Sequence, residues 1–186
     1  GLFLQSIKFL ISFLLLLFGC EKLPVKSFDN PLDVVESKLI GVSLPALVFF
    51  PDSVSIKTGE TISLGVYAME VNELSGAHIQ INYERQKINI SSVISGELLK
   101  STTEPFFNYN NDTLAGILDI YTTSYVLDSL QTGSKTGSLA NIEIRANVPG
   151  KIIIQYTDST EFVDQNDNPI IIKSKLPGVI DVSKSQ

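Results

Sequence analysis

From Ile62 onward, apolar and polar residues take turns along the chain. In "ISLGVYAMEV" the apolar positions fall at Ile62, Leu64, Val66 and Ala68. In "GAHIQINY" the division is clean. Ala77, Ile79, Ile81 and Tyr83 share one side, and Gly76, His78, Gln80 and Asn82 the other. "KINISSVI" places Ile88 and Ile90 in phase but Val93 out of phase, which predicts an irregularity between them. "LAGILDIYTTSYV", "SLANIEIRANV", "KIIIQYT", "PIIIKS" and "GVIDV" continue the texture. Neighbouring side chains on a strand point to opposite faces, so a period of two marks half-buried antiparallel strands. Turn-forming Gly, Asn, Asp and Pro clusters separate the runs, and no sustained amphipathic helix interrupts them. The pattern predicts an all-β antiparallel fold of about nine strands, a β-sandwich or jelly roll. "SGELLKSTTEPF" has room for one helical turn before Pro105.

The start of the chain has a different pattern. Phe9 to Phe18 is almost wholly apolar, with Ser12 inside it and Lys8 just ahead. A bilayer-spanning helix needs about 20 such residues. A short apolar run behind one basic residue, closed by the small Gly19, has the layout of an export signal. The chain opens on Gly1 and not Met, so the signal reads as truncated at its start. Leu17, Gly19 and Cys20 resemble a bacterial lipoprotein signal, where a Leu stands three residues before the modified Cys. Phe18 departs from that pattern, which favours a smaller residue there. The resemblance implies cleavage before Cys20, diacylglycerol on its sulfur and acylation of the new amino terminus. Several acyl chains hold where one is marginal. Glu21, in the place of an Asp, favours the outer membrane or cell surface.

The chain then divides into a cleaved signal at 1–19, a lipidated terminus and tether at 20–45, and a β-sandwich domain at 46–186. "EKLPVKSFDNPLDVVESK" mixes charges and prolines as a spacer does. A short helix over Val34–Leu39 fits its spacing, although a tether does not require one.

Composition narrows the chemistry. Cys20 is the only cysteine, which excludes internal disulfides and zinc sites built on cysteine pairs. His78 is the only histidine, which excludes a His-rich metal centre. The net charge is −6, and no Lys/Arg cluster tracks phosphates, so nucleic acid is not an expected partner. The same negative charge speaks against electrostatic adhesion to anionic lipid, leaving the acyl chains as the membrane link.

The order of the pieces from about Val48 to Val182 resembles a cohesin domain, the jelly-roll module of cellulosome scaffoldins. "VSIKTGETISLGVYAMEV" is similar to the family's opening hairpin. "LSGAHIQINYERQKINISSVISGELL" is similar to its most distinctive stretch, in which a strand ends in Tyr plus an acid, here Tyr83 and Glu84, and a Gly-x-Leu-Leu segment follows. "GSLANIEIRANVPGKIIIQYTD" resembles the later hairpin, and "FVDQNDNPI" with "GVIDV" the closing strands. The resemblance implies a non-catalytic module that binds a dockerin-type protein through a sheet face. On that face, the family's Asn and Asp contacts correspond to Gly76 and His78, which supply neither group. A different partner, contacted by His78, Gln80 and Asn82, is one expectation. Solvent exposure without a partner is the other.

Further stretches carry competing readings. Asp164, Asn166 and Asn168 have the spacing of the first three ligands of an EF-hand calcium loop. Pro169 stands where that loop needs Gly, and Lys175 where it needs Glu. The same residues suit an Asx-rich hairpin turn, so no cofactor is expected. "QTGSKTGS" lacks phosphate-loop spacing and reads as a flexible loop. "PFFNYN" is the one aromatic cluster that would make a sugar platform, through Phe106, Phe107 and Tyr109, and there is no Trp. A catalytic triad would have to use His78. The expected function is lipid-anchored protein–protein recognition at the cell envelope, without catalysis. The alternatives are a carbohydrate-binding module in polysaccharide breakdown and a structural envelope lipoprotein.

Overall fold

The computed structural model describes residues 33–101, 104–124 and 133–185. The signal, the Leu17–Cys20 motif and the first part of the tether lie outside the described residues.

Among the described residues, thirteen strands form two sheets. The first holds β1 (Ala46–Phe50), β3 (Thr61–Asn72), β5 (Ile88–Ser95), β8 (Ser134–Ala146) and β12 (Ser174–Lys175), in the order β12-β1-β3-β8-β5. The second runs β11 (Pro169–Ile170), β10 (Glu161–Val163), β4 (Gly76–Asn82), β9 (Gly150–Tyr156), β13 (Gly178–Ser183) and β2 (Ser53–Lys57). On the free side of β4 it is extended by β7 (Ile117–Thr123) and then β6 (Phe106–Asp112). Pairing is antiparallel except for β1 with β12 and β2 with β13. The expected jelly-roll sandwich is what the chain forms. The irregularity expected in "KINISSVI" is a register shift between Ile90 and Ser92.

Alternation fixes which side of each strand enters the core. Leu64 and Val66 of β3, Ile79 and Ile81 of β4, Leu118 and Ile120 of β7, and Ile152 and Ile154 of β9 are all at most 1% exposed. Each such burial is worth about 1.5–3 kcal/mol. Ring stacking joins the sheets: Phe49 of β1 lies on Tyr156 of β9 with centroids 4.3 Å apart. The Tyr156 hydroxyl donates to the Val48 carbonyl at 2.9 Å. The tyrosine thus supplies hydrophobic area to the core and satisfies its own polar tip there.

β1 does not alternate. "ALVFF" is buried on both sides: Leu47 and Phe49 enter the core, while Ala46 and Val48 face outward yet are at most 1% exposed. What covers them is α1 (Val34–Leu39) and the segment after it. Val34, Val42 and Leu44 pack with Ala46, Val48, Met69, Tyr67 and Leu176 in a second apolar cluster. Asp33 caps the helix by accepting from the Glu36 N–H at 2.8 Å. Ser37, wholly buried beneath the helix, donates to the Val34 carbonyl. Residues from Asp33 onward therefore pack as part of the domain.

The stretch read as a flexible loop, "QTGSKTGS", is a correction. From Ser134 it is the start of β8, paired with the end of β3. Thr136 Oγ1 accepts from the Glu70 N–H, and the Ser134 hydroxyl donates to the Glu70 carboxylate, anchoring a bulge at which Glu70 has a φ of 50°. Small polar residues conceal strand character when their partners are this local side-chain network.

Candidate recognition face

β4, β7 and β6 lie side by side, in registers that pair His78 with Tyr121, Gln80 with Asp119, and Tyr121 with Asn108. Because Ile79, Ile81, Leu118 and Ile120 point inward, His78, Gln80 and Asn82 must point outward with Asp119, Tyr121, Asn108 and Phe106. The three residues singled out in the sequence share this face.

A bonded network holds the centre of the face. Asp119 Oδ1 lies 2.8 Å from His78 Nε2 and accepts from Gln80 Nε2 at 2.9 Å. Gln80 Oε1 accepts from the Thr157 hydroxyl at 2.7 Å. Thr160 Oγ1 accepts from the Gln80 N–H at 3.0 Å. The His78 ring stacks on Tyr121, with centroids 4.6 Å apart and planes 4° from parallel. His78 is thus not a free side chain: it is 26% exposed, and its partners are a carboxylate and a phenol ring. Such a network presents its polar edge in a single arrangement, which lowers the ordering cost of binding. Asn82, two residues along, is exposed.

Beside the network is a shallow depression of about 290 Å³. Its floor is Gly76, where a Cβ would come within 3.2 Å of Val163 Cγ2 and 3.5 Å of Thr123 Oγ1. Phe106, Tyr121 and Val163 supply apolar walls, and Glu161 stands at the rim. The Gly76 position, at which a side chain was expected to be missing, is where the face has a hollow.

The aromatic cluster divides. Phe106 is on the outer face, whereas Phe107 and Tyr109 lie on the opposite side of β6, across from Thr122 and Ile120; Phe107 packs against the core there and Tyr109 stays exposed. Tyr121, which shares the outer face, has one side covered by His78. The three candidate rings therefore do not form the coplanar row that a sugar platform uses.

The Asp164–Pro169 loop is an Asx turn. Asp164 Oδ1 accepts from the N–H groups of Asn166 and Asn168, and Oδ2 from Asn168 Nδ2. These bonds, that of the Asn168 side chain foremost, hold its carboxyl below the usual range. The carboxylate is committed to the turn, and Asp167 takes a φ of 60° within it. Among the described residues, no three His, Cys, Asp or Glu side chains are grouped as metal ligands.

Sequence reasoning missed Asp119, Tyr121, Thr157 and Thr160. The phase of "ILDIYTT" puts Asp119 and Tyr121 on one side, but only the register with β4 places them against Gln80 and His78.

The fold and this face define a β-sandwich module with a flat, pre-bonded surface. The family model for the cohesin domain matches residues 47–180, and the chain belongs to that family. No curated protein matches it. Among solved structures, it resembles a non-cellulosomal cohesin from Archaeoglobus fulgidus at 14% identity and a TM-score of 0.60, covering 74% of this chain and 90% of that one. A type II cohesin domain from the cellulosome of Acetivibrio cellulolyticus matches at 18% identity and 0.62, over 73% and 92% of the two chains. The structure of a type I cohesin–dockerin complex from Clostridium thermocellum matches at 16% and 0.62, over 75% and 95%.

Proposed function

We propose that the chain is a non-catalytic receptor, anchored at the cell envelope through lipid on Cys20, which binds a protein partner on the outer face of β4, β7 and β6. The observation that carries this reading is the His78–Asp119–Gln80–Thr157 network beside the Gly76 hollow. A rigid polar centre next to an apolar recess is how protein interfaces combine hydrogen-bond specificity with a pocket for an anchor side chain. Family membership and the dockerin complex among the similar structures support a partner of the dockerin kind. Gly76 and His78 stand where the family's Asn and Asp contacts are expected, so the partner differs from the well-studied cellulosomal dockerins. The Phe9–Phe18 run and Leu17, Gly19 and Cys20 support the anchor, with the outer membrane or cell surface as its site.

Capture tests it. Immobilised protein is offered the secreted and detergent-solubilised fractions of the source organism, with insoluble polysaccharide tested in parallel. A protein retained by the wild type and lost with His78→Ala plus Gln80→Ala supports the reading. Retention on polysaccharide with no protein captured contradicts it and favours carbohydrate binding.

A further inference from the structure

We propose that α1 carries a second contact surface: Val35, Leu39 and the adjoining Ile40 rest in the bilayer interface when the chain is held at a membrane. This inference rests on the Cys20 anchor proposed above.

The side of α1 turned away from the sheet is apolar. Val34 and Ser37 face the sheet, while Val35 and Leu39, four residues apart, face away and are 71% and 82% exposed. Ile40, which follows them, is 45% exposed. A helix covering a sheet normally turns polar residues to solvent. Here only Glu36 and Lys38, of opposite charge, lie among the apolar positions, so the stripe carries no net charge to oppose a membrane.

The occupant follows from where the chain leads. Twelve residues separate Cys20 from Asp33. Fully extended at about 3.3–3.6 Å each, they reach roughly 45 Å at most. An acylated Cys20 would therefore keep α1 permanently close to the lipid surface. Three side chains bind a membrane weakly by themselves, but a tether raises their effective concentration and makes weak docking sufficient. The geometry also has a consequence. α1 lies over the β1 and β3 part of the outer face of the first sheet, and the recognition face is on the outer side of the second. Seating α1 on the bilayer turns the recognition face away from it, toward an arriving partner.

The absence of Trp from the chain provides the test. Leu39→Trp places a reporter in the stripe. Leu114→Trp places one at an equally exposed site, the tip of the β6–β7 hairpin. That tip adjoins Tyr83, at the end of the sandwich where β3 begins, whereas α1 packs by Met69, late in β3. The full chain is reconstituted in vesicles of phosphatidylethanolamine and phosphatidylglycerol containing brominated lipid. Mass spectrometry of the same sample reports acylation of Cys20. If it is unacylated, the anchor reading fails, and the Cys20 thiol is coupled to a maleimide lipid so that the reporter measurement still proceeds. The expected result is a blue-shifted emission quenched about twofold or more for Leu39→Trp, and no quenching for Leu114→Trp. Equal quenching of both, quenching of neither, or a blue shift without lipid that grows with protein concentration, as a second copy would produce, overturns the proposal.

Discussion

The outer faces of the two sheets follow different rules. On the first sheet, Ala46, Val48 and Met69 point away from the core and are still buried, because residues 33–44 lie over them. On the second sheet, His78, Gln80, Tyr121 and Phe106 point away from the core and remain partly or largely open. The covered face is apolar and exerts its effect through stability. The open face is polar, with its donors and acceptors already paired to one another, and contributes little to stability. A side chain's direction on a strand therefore does not reveal its role; what lies over it does.

Equivalent changes on the two faces should give the largest contrast. Val48→Asp places an unpaired charge beneath α1 and should cost about 3–5 kcal/mol in urea unfolding, enough to compromise folding. Phe106→Ser on the open face should stay within about 1 kcal/mol. Similar losses at both sites would erase the distinction.

Tyr156 ties the sheets together, and Tyr156→Phe should cost about 1–2 kcal/mol by leaving the Val48 carbonyl without its donor. Burial pushes the Tyr156 phenol well above its ordinary value of 10.0. The unfolded chain then loses that proton first as pH rises through about 10, so the folded state binds more protons and its stability falls, by up to about 1.4 kcal/mol per pH unit. Unfolding titrations above pH 10 should show a shallower decline for Tyr156→Phe. Tyr83, also raised by burial, keeps a residual slope.

The covering segment itself should loosen with Asp33→Ala, which removes the N-cap bond to Glu36 at a cost of about 1 kcal/mol. Thermal unfolding would register the loss, and a binding assay on the open face should not. His78→Ala should change stability least. It exchanges a ring stack and a partly buried hydrogen bond to Asp119 for solvent, within about 1 kcal/mol in the same unfolding assay.

Much of this was legible in the sequence, because alternation directly encodes which side of a strand is inside. Ile79 and Ile81 against His78 and Gln80 needed no structure. "ALVFF" resisted the same reading, since a strand covered on both sides does not alternate. "SKTGS" resisted it because its side chains bond to a bulge at Glu70, 64 and 66 residues away in sequence, and show no apolar phase. The candidate site was half visible. One strand's contribution can be read from its own phase, but Asp119, Tyr121 and Thr157 enter through registers and connections that no local pattern specifies. The depression beside Gly76 is likewise bounded by Phe106, Tyr121 and Val163, which come from three other strands.

The central claim is that the open face receives a protein partner while the covered face does not. Calorimetric titration of the captured partner tests it most directly, comparing wild type with His78→Ala plus Gln80→Ala and with Val35→Ser plus Leu39→Ser. The account predicts that the first pair weakens affinity at least about tenfold, roughly 1.4 kcal/mol, and that the second leaves it unchanged. Loss of affinity only in the second pair, with the His78 and Gln80 variant binding as wild type, would contradict it.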